Sequence, residues 1–183
     1  EGKWYGGLLL AGKAYGIPFN HDKVLRIDIE TEEVDLVGPS LGEGGYKWHG
    51  GVRARVAIVG VPSHSDSVLV IDSNGVVSKI DFSVKMSPFL RTNTLESSRL
   101  RFRKPGRYKY GGGVAVDNVV FCFPYDAHLP LRVDVQGIKE EHDRSCVVTK
   151  MSRVDEASRE DFHGYNKWQN GFVSRVDGCV YAI

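Results

Sequence analysis

The chain has few cysteines, and their positions exclude two common uses of the residue. Cys122, Cys146 and Cys179 are odd in number and widely spaced, with no C-x-x-C pair. A disulfide framework and a cysteine-rich zinc site both need paired or closely spaced cysteines. The sequence also contains no N-x-[ST] glycosylation acceptor. These absences favour an intracellular or organelle location, although no motif identifies the compartment.

Net charge of either sign and long hydrophobic runs are also missing. The 24 Lys+Arg residues are balanced by 23 Asp+Glu residues. No global attraction to nucleic acid or to an anionic membrane is therefore expected. No apolar run approaches the roughly 20 residues that span a bilayer. The 183 residues, 42% of them hydrophobic, suit one globular domain without a membrane-spanning segment.

Glycine is abundant, with 21 residues, and much of it belongs to an internal repeat. A lysine, an aromatic residue and one or more glycines recur together four times. The four aromatic residues are Trp4, Trp48, Tyr110 and Trp168. A proline follows 14 residues after each of the first three aromatics, and an aspartate follows ten residues after each proline. These landmarks are Pro18, Pro62 and Pro124, then Asp28, Asp72 and Asp134.

The residues between the landmarks alternate between apolar and polar types, which is typical of short strands. In the first unit it predicts strands at 7–11, 14–18, 24–28 and 34–37. Four antiparallel strands at a period of about 44 residues are the signature of a β-propeller blade. The sequence therefore predicts an all-β fold of propeller-type blades in one domain, 1–183. Its repeats are 2–44, 45–106, 107–165 and a partial repeat at 166–183.

The aromatic–Gly–Gly opening and the third strand, Val24-Leu25-Arg26-Ile27-Asp28, resemble kelch-like and YVTN/PQQ-type propeller repeats. The resemblance covers nearly the whole chain and implies architecture. It implies no single activity, because propellers serve as enzymes, lectins and scaffolds. Three and a half repeats are fewer than the roughly four to eight blades of natural propellers. We therefore expect a fragment or an incomplete ring.

Two segments match catalytic motifs but lack the required context. Gly38-Pro39-Ser40-Leu41-Gly42 fits the G-x-S-x-G pattern, yet a glycine-rich turn and another strand follow instead of a helix. The segment 7–14 nearly matches a P-loop but ends in alanine where Ser or Thr would hold Mg²⁺. Both segments are better interpreted as turns, and no motif predicts a cofactor.

Histidines in the predicted loops between second and third strands leave a catalytic alternative open. His21, His64 and His128 stand three, two and four residues after the blade prolines. Loops of this type line one face of a propeller, where imidazoles can bind a metal or transfer protons. Polar loops also accumulate histidine without function, and the offsets differ. We therefore predict no metal site, with an enzyme on this face as the second alternative.

The four repeated aromatic residues also have two interpretations. Large rings at one fixed position suit the seams between blades. The alternative is a ligand platform on which Trp4, Trp48, Tyr110 and Trp168 stack a glycan, as in lectin-like propellers.

Two insertions enlarge the second and third repeats, at 82–107 and 139–161. The first contains seven Lys/Arg residues and one acid, Glu96. Within it Arg99, Arg101 and Arg103 alternate with apolar residues and Lys104 follows, so a strand would present one basic face. This face can meet an acidic partner, or it can protect a sheet edge from further pairing. A role in nucleic-acid binding is not expected, because no aromatic stacking array accompanies it.

We therefore predict a non-catalytic repeat module that binds a protein partner in a larger assembly. Arg99, Arg101, Arg103 and Lys104 are its candidate contacts. A glycan-binding propeller is the first alternative.

Overall fold

The computed structural model describes residues 2–81, 107–127, 129–139, 143–150 and 166–183. All regular secondary structure in these ranges is β-strand, which confirms the all-β prediction. No helix in the same ranges has the length and apolar character needed to cross a membrane.

In these described ranges, fourteen strands form three four-stranded sheets and one two-stranded sheet. The first sheet contains β1 (Trp4–Leu10), β2 (Lys13–Pro18), β3 (Val24–Asp28) and β4 (Val34–Val37). The second contains β5 (Trp48–Arg53), β6 (Ala57–Pro62), β7 (Ser67–Asp72) and β8 (Val77–Asp81). The third contains β9 (Tyr110–Val116), β10 (Val119–Pro124), β11 (Leu131–Lys139) and β12 (Asp143–Lys150). The fourth pairs β13 (Gly171–Val173) with β14 (Val180–Ala182).

Each sheet is an antiparallel meander whose strands follow chain order from one edge to the other. The first strands of successive sheets contact one another, β1 with β5, β5 with β9 and β9 with β13. The first strand of each sheet therefore lies innermost, around a common axis. This is the arrangement of β-propeller blades, so the predicted fold class is confirmed.

The landmark spacing follows from the pairing of the first two strands. Trp4 pairs with Pro18, Trp48 with Pro62 and Tyr110 with Pro124. A register shift lies next to each of these pairs, and in the first two sheets it coincides with a glycine at positive φ, Gly6 (+72°) or Gly50 (+70°). Glycine adopts this backbone region without steric strain, which explains why the motif needs it.

The first two repeated aspartates end their third strands by accepting backbone hydrogen bonds, whereas Asp134 lies within β11, where the strand continues through a register shift. The Asp72 carboxylate accepts the N–H groups of Asn74 and Val76 at 2.9 and 2.8 Å. The Asp28 carboxylate likewise accepts the backbone N–H groups of Glu30 and Thr31. Side-chain acceptors of this kind stabilise tight turns.

The core lies between the sheets in two clusters. One joins the first and second sheets and contains Trp48, and the other joins the second and third sheets and contains Tyr110. Cys122 is buried in the second cluster, where burial raises the pKa of its thiol to about 12.

The structure also corrects the start of the first strand. The sequence predicted 7–11, whereas β1 covers Trp4–Leu10. The strand begins earlier because its bulge lets the backbone continue through Gly6, and it ends earlier because Ala11 adopts a positive φ of 49° in the turn. The fourth strand of the third sheet, β12, falls inside the predicted 139–161 insertion. Residues 82–106 lie outside the described ranges.

Candidate functional site

The sheets are joined on one face by a continuous run of backbone hydrogen bonds. The Phe19 N–H donates to Lys3 O at 2.9 Å, and the Lys47 N–H donates to Phe19 O at 2.9 Å. The run continues from sheet to sheet, because the N–H group of each next member donates to the carbonyl oxygen of the one before. These members are, in order, Ser63, Lys109, Tyr125 and Lys167. We call this side of the molecule the loop face, because the loops between second and third strands meet the inter-sheet connections here.

The side chains of two repeated lysines on this face bind nearby loop backbone. The Lys109 ammonium donates to His64 O at 2.9 Å and lies 3.0 Å from the Asp66 carboxylate. Lys47 is buried and donates to Gly44 O at 2.9 Å. Burial lowers the pKa of Lys47, and a nearby carboxylate, Asp22, partly opposes that shift. Both lysines therefore add side-chain contacts to the backbone hydrogen bonds on this face.

A belt of aromatic and imidazole rings lies on the loop face. Tyr5 stacks on His49 at 4.2 Å, and Tyr46 lies 5.1 Å from His64. Tyr108 meets the His64 ring edge to face at 4.8 Å. We call the connected rings the aromatic belt, and its members are Tyr5, Phe19, Tyr46, His49, His64, Tyr108 and Tyr125.

Two belt residues have backbone conformations that bulky side chains rarely adopt. Tyr46 has φ of +59° and Tyr108 has φ of +50°, and both immediately precede a repeated lysine. Hydrogen bonds hold the Tyr46 backbone, because its N–H donates to the Asn20 side-chain oxygen Oδ1 and its carbonyl accepts from the His64 N–H. Such conformations cost roughly 1–3 kcal/mol each and concentrate at functional sites.

A surface cavity of about 680 Å³ lies between these two tyrosines. His64, Arg107 and Asn20 contribute to its wall. Tyr46 is 43% exposed and Tyr108 is 40% exposed, so both rings are available to a ligand. Burial, with the charges of Arg107 and Lys109, lowers the pKa of His64. These influences favour the neutral form of the imidazole, and Arg107 supplies positive charge to the cavity.

A second cavity of about 290 Å³ lies on the axis between the innermost strands. Tyr5, His49, Gln169 and Asn170 line it together with backbone at several glycines. His49 Nδ1 lies 2.9 Å from Gly111 O. A carbonyl oxygen only accepts hydrogen bonds, so Nδ1 carries the proton and Nε2 is left as an acceptor when the ring is neutral.

The repeated aromatic residues differ in accessibility. Trp48 is 0% exposed and Tyr110 is buried between sheets, whereas Trp4 and Trp168 are half-buried. The Trp48 indole N–H donates to Ser67 O at 2.9 Å, and the Trp4 indole N–H donates to Lys23 O at 3.0 Å. A glycan platform on this set would have to use Trp4 and Trp168, and it stays a prediction.

Of the three loop histidines, the structure describes His21 and His64, and these two contact different rings. His21 stacks on Trp4 at 4.8 Å, while His64 lies in the aromatic belt of the next sheets. His128 lies outside the described residues. Within the part of the chain that the structure describes, no three His, Cys, Asp or Glu residues are placed to hold a metal ion.

The two segments that match catalytic motifs, 38–42 and 7–14, lie in or across turns, as the sequence indicated. Ser40 lies in the connection between β4 and β5, where its hydroxyl accepts from the Gly42 N–H at 3.4 Å. Residues 7–14 cover the end of β1, a tight turn and the start of β2.

The basic segment Arg99, Arg101, Arg103 and Lys104 lies outside the described residues. In the sequence it ends three positions before Arg107, which lines the surface cavity.

Comparison with known proteins adds fold information. No family model and no curated protein matches this chain. The solved structures that it resembles include a streptogramin B lyase (9% identity, TM-score 0.50, covering 82% of this chain and 41% of that one). Another is a catalytically inactive His-to-Ala variant of virginiamycin B lyase from Staphylococcus aureus with quinupristin (10% identity, TM-score 0.53, covering 98% of this chain and 54% of that one). A third is the Cps50 (Swd1) β-propeller domain of Myceliophteria thermophila (12% identity, TM-score 0.49, covering 89% of this chain and 43% of that one).

The similarity is one of fold. The chain spans between 41% and 54% of the length of these three structures. Because no family model matches, the kelch-like and YVTN/PQQ-type assignments stay predictions.

Proposed function

We propose that this propeller module is an interaction scaffold that binds an acidic segment of a partner protein in the cavity between Tyr46 and Tyr108. The observation that carries the proposal is a pair of exposed tyrosines, held at positive φ beside Arg107. Tyrosine and arginine are the residues most enriched at the energetic centres of protein interfaces.

The ring geometry favours a protein segment over a sugar. Tyr46 and Tyr108 are inclined by 72° to each other, so they form two walls of a pocket instead of one flat stacking platform. A guanidinium at the rim binds carboxylates through paired hydrogen bonds. The predicted contacts Arg99, Arg101, Arg103 and Lys104 precede this rim in the sequence and would extend its positive charge.

Binding to a peptide library tests the proposal. Peptides that differ only in Asp/Glu against Asn/Gln are presented to the chain, and the affinities are compared by fluorescence anisotropy. We expect acidic peptides to bind, and Arg107→Gln to weaken that binding. Arg175→Gln is the matched control, since Arg175 is exposed in the β13–β14 turn, away from the cavity. Equal binding of acidic and neutral peptides, or equal losses in both variants, would contradict the proposal. A glycan array run on the same preparations tests the lectin-like alternative.

His49 supports a second candidate, acid–base catalysis in the axial cavity. Its Nδ1 proton is fixed by Gly111 O, which leaves Nε2 free to accept a proton. One of the solved structures of similar fold is an enzyme that a His-to-Ala change inactivates. Turnover of quinupristin by this chain, abolished in His49→Gln, would support catalysis, and absence of turnover would contradict a related activity.

A further inference from the structure

A hydrogen bond from backbone to side chain recurs between neighbouring sheets on the loop face. The Tyr46 N–H, just before the second sheet, donates to Asn20 Oδ1 of the first sheet's loop at 3.1 Å. The Asn166 N–H, just before the last sheet, donates to Asp126 Oδ1 of the third sheet's loop at 3.1 Å. Each donor immediately precedes a repeated lysine, and each acceptor is the second residue after a blade proline. A side-chain oxygen thus binds the backbone of a residue held at positive φ.

The junction between the second and third sheets lacks this bond. Tyr108 has the donor position there and His64 has the acceptor position. Among the described residues, the Tyr108 N–H donates to no acceptor, and His64 Nε2 is buried without a partner. The backbone at His64 is placed as usual, because its N–H donates to Tyr46 O at 2.9 Å as the Asp126 N–H donates to Tyr108 O at 3.0 Å. The bond is therefore missing because of the side chain at position 64.

The unpaired N–H lies beside a cationic side chain in the wall of the surface cavity. Tyr108, Arg107 and His64 all line this cavity of about 680 Å³. Arg107 is exposed and forms no ion pair among the described residues. Burial, and then the charge of Arg107, lowers the pKa of His64, so the guanidinium lies near the imidazole. One cavity therefore combines a backbone donor and a guanidinium, and the described chain supplies neither with an acceptor.

We propose that the partner completes this junction with a carboxylate, so that an aspartate or glutamate of the acidic segment accepts the Tyr108 N–H and pairs with Arg107. The inference rests on the function proposed above and identifies the contact that selects an acidic segment. The Asp126 carboxylate makes the equivalent bond inside the chain at the next junction, so the repeat accommodates an oxygen at this position. Hydrogen bonds from N–H groups to an ionised carboxylate are roughly twice as strong as those between neutral groups.

Two-dimensional ¹H–¹⁵N NMR of the unmodified chain tests the contact directly. The probes are acetate, N-acetyl-aspartyl amide and an acidic peptide with an amidated C-terminus. We expect each probe to move the Tyr108 amide proton downfield in a saturable way, because the proton gains a charged acceptor. The Tyr46 amide should move less, since it is already bonded to Asn20. N-acetyl-asparaginyl amide is the neutral control and should produce no comparable shift.

A further peptide identifies the source of the carboxylate. It contains no Asp or Glu but has a free C-terminus. If this peptide alone moves the Tyr108 amide, the site takes a chain terminus and the proposed side-chain contact is wrong.

Position 64 offers a matched pair of variants. His64→Asn supplies the acceptor that Asn20 supplies at the first junction, whereas His64→Ala removes the same ring and supplies none. Both variants lose the imidazole, so a difference between them reports the acceptor. We expect His64→Asn to unfold at a higher temperature than His64→Ala. It should also bind acidic peptides at least about tenfold more weakly than His64→Ala, as expected when a charge-assisted hydrogen bond is lost.

The outcomes separate this contact from the function proposed above. Acidic peptides that bind without moving the Tyr108 amide, or that bind both His64 variants equally, would overturn the contact and leave the acidic partner in place. Small carboxylates that move the Tyr108 amide when acidic peptides do not bind would support the contact and overturn the partner. If no carboxylate probe moves that amide, the contact is wrong.

Discussion

The Lys47 N–H donates to the carbonyl oxygen of Phe19 at 2.9 Å and thereby joins the first two sheets through backbone alone. Phe19 follows the blade proline, and Lys47 precedes the repeated aromatic residue. The same pair of positions is bonded at the next two junctions, by Lys109 to Ser63 at 3.0 Å and by Lys167 to Tyr125 at 3.1 Å. The repeat therefore builds the surface that carries the aromatic belt.

Trp48→Ala should lower the free energy of unfolding by roughly 3–5 kcal/mol, because it opens a cavity between two sheets and leaves Ser67 O without its donor. Trp4→Ala should have a smaller effect, since Trp4 is only half-buried. Urea denaturation of both variants measures the difference. Equal and small losses would show that Trp48 does not support the junction.

Gly38→Ala should destabilise the fold far more than Gly42→Ala. Both glycines have positive φ, +86° and +87°, so both substitutions carry backbone strain of roughly 1–2 kcal/mol. A Cβ at Gly38 would also stand 2.6 Å from Val77 Cβ, whereas nothing lies within 4 Å at Gly42. Adding Val77→Ala should recover part of the loss at Gly38. Thermal melts of the series that rank the two glycines equally would refute the close approach.

Acid should weaken the fold partly through Asp28. The Lys13 side chain and the backbone N–H groups of Thr31 and Glu30 lower the pKa of Asp28 to about 2. The unfolded value is near 3.9, so this contribution is complete above about pH 4 and is lost as the pH falls towards 2. Asp28→Asn should flatten the decline of unfolding free energy in that window. An unchanged pH profile would show that the carboxylate contributes nothing there.

The basic segment should attach the partner electrostatically. Replacing Arg99, Arg101 and Arg103 by glutamine should weaken binding of acidic peptides, most clearly at low salt where screening is least. The exposed arginines Arg53, Arg55 and Arg175, changed together to glutamine, are the control of equal charge. Anisotropy titrations at several salt concentrations compare the two. Identical salt dependence in both triple variants would assign the segment to edge protection alone.

Much of the fold could be predicted from the sequence because each blade is determined by local patterning. The predicted segments 24–28 and 34–37 match β3 and β4, since a turn-forming aspartate ends one and a glycine at positive φ follows the other. The early start of β1 could not be predicted from the alternation of apolar and polar residues, because a bulge interrupts the period of two.

The aromatic belt was not predicted, because its members are distant in the chain and meet only when the sheets assemble. One signal was present in the sequence. Tyr46 and Tyr108 both stand immediately before a repeated lysine, in a position unrelated to strand alternation. Their positive φ could not be inferred, since asparagine or glycine is the usual residue in that conformation. The fourth repeat has Asn166 there, with φ of +52°.

The double variant Tyr46→Asn/Tyr108→Asn tests the central claim most directly, with its unfolding free energy and its affinity for acidic peptides measured together. Asparagine tolerates the positive φ, so the fold should be as stable as before or more stable. Loss of two exposed rings from the cavity should weaken peptide binding by at least about tenfold, as expected of interface hot spots. A less stable fold with unchanged peptide affinity would contradict the account, because the tyrosines would then serve the structure and not a partner.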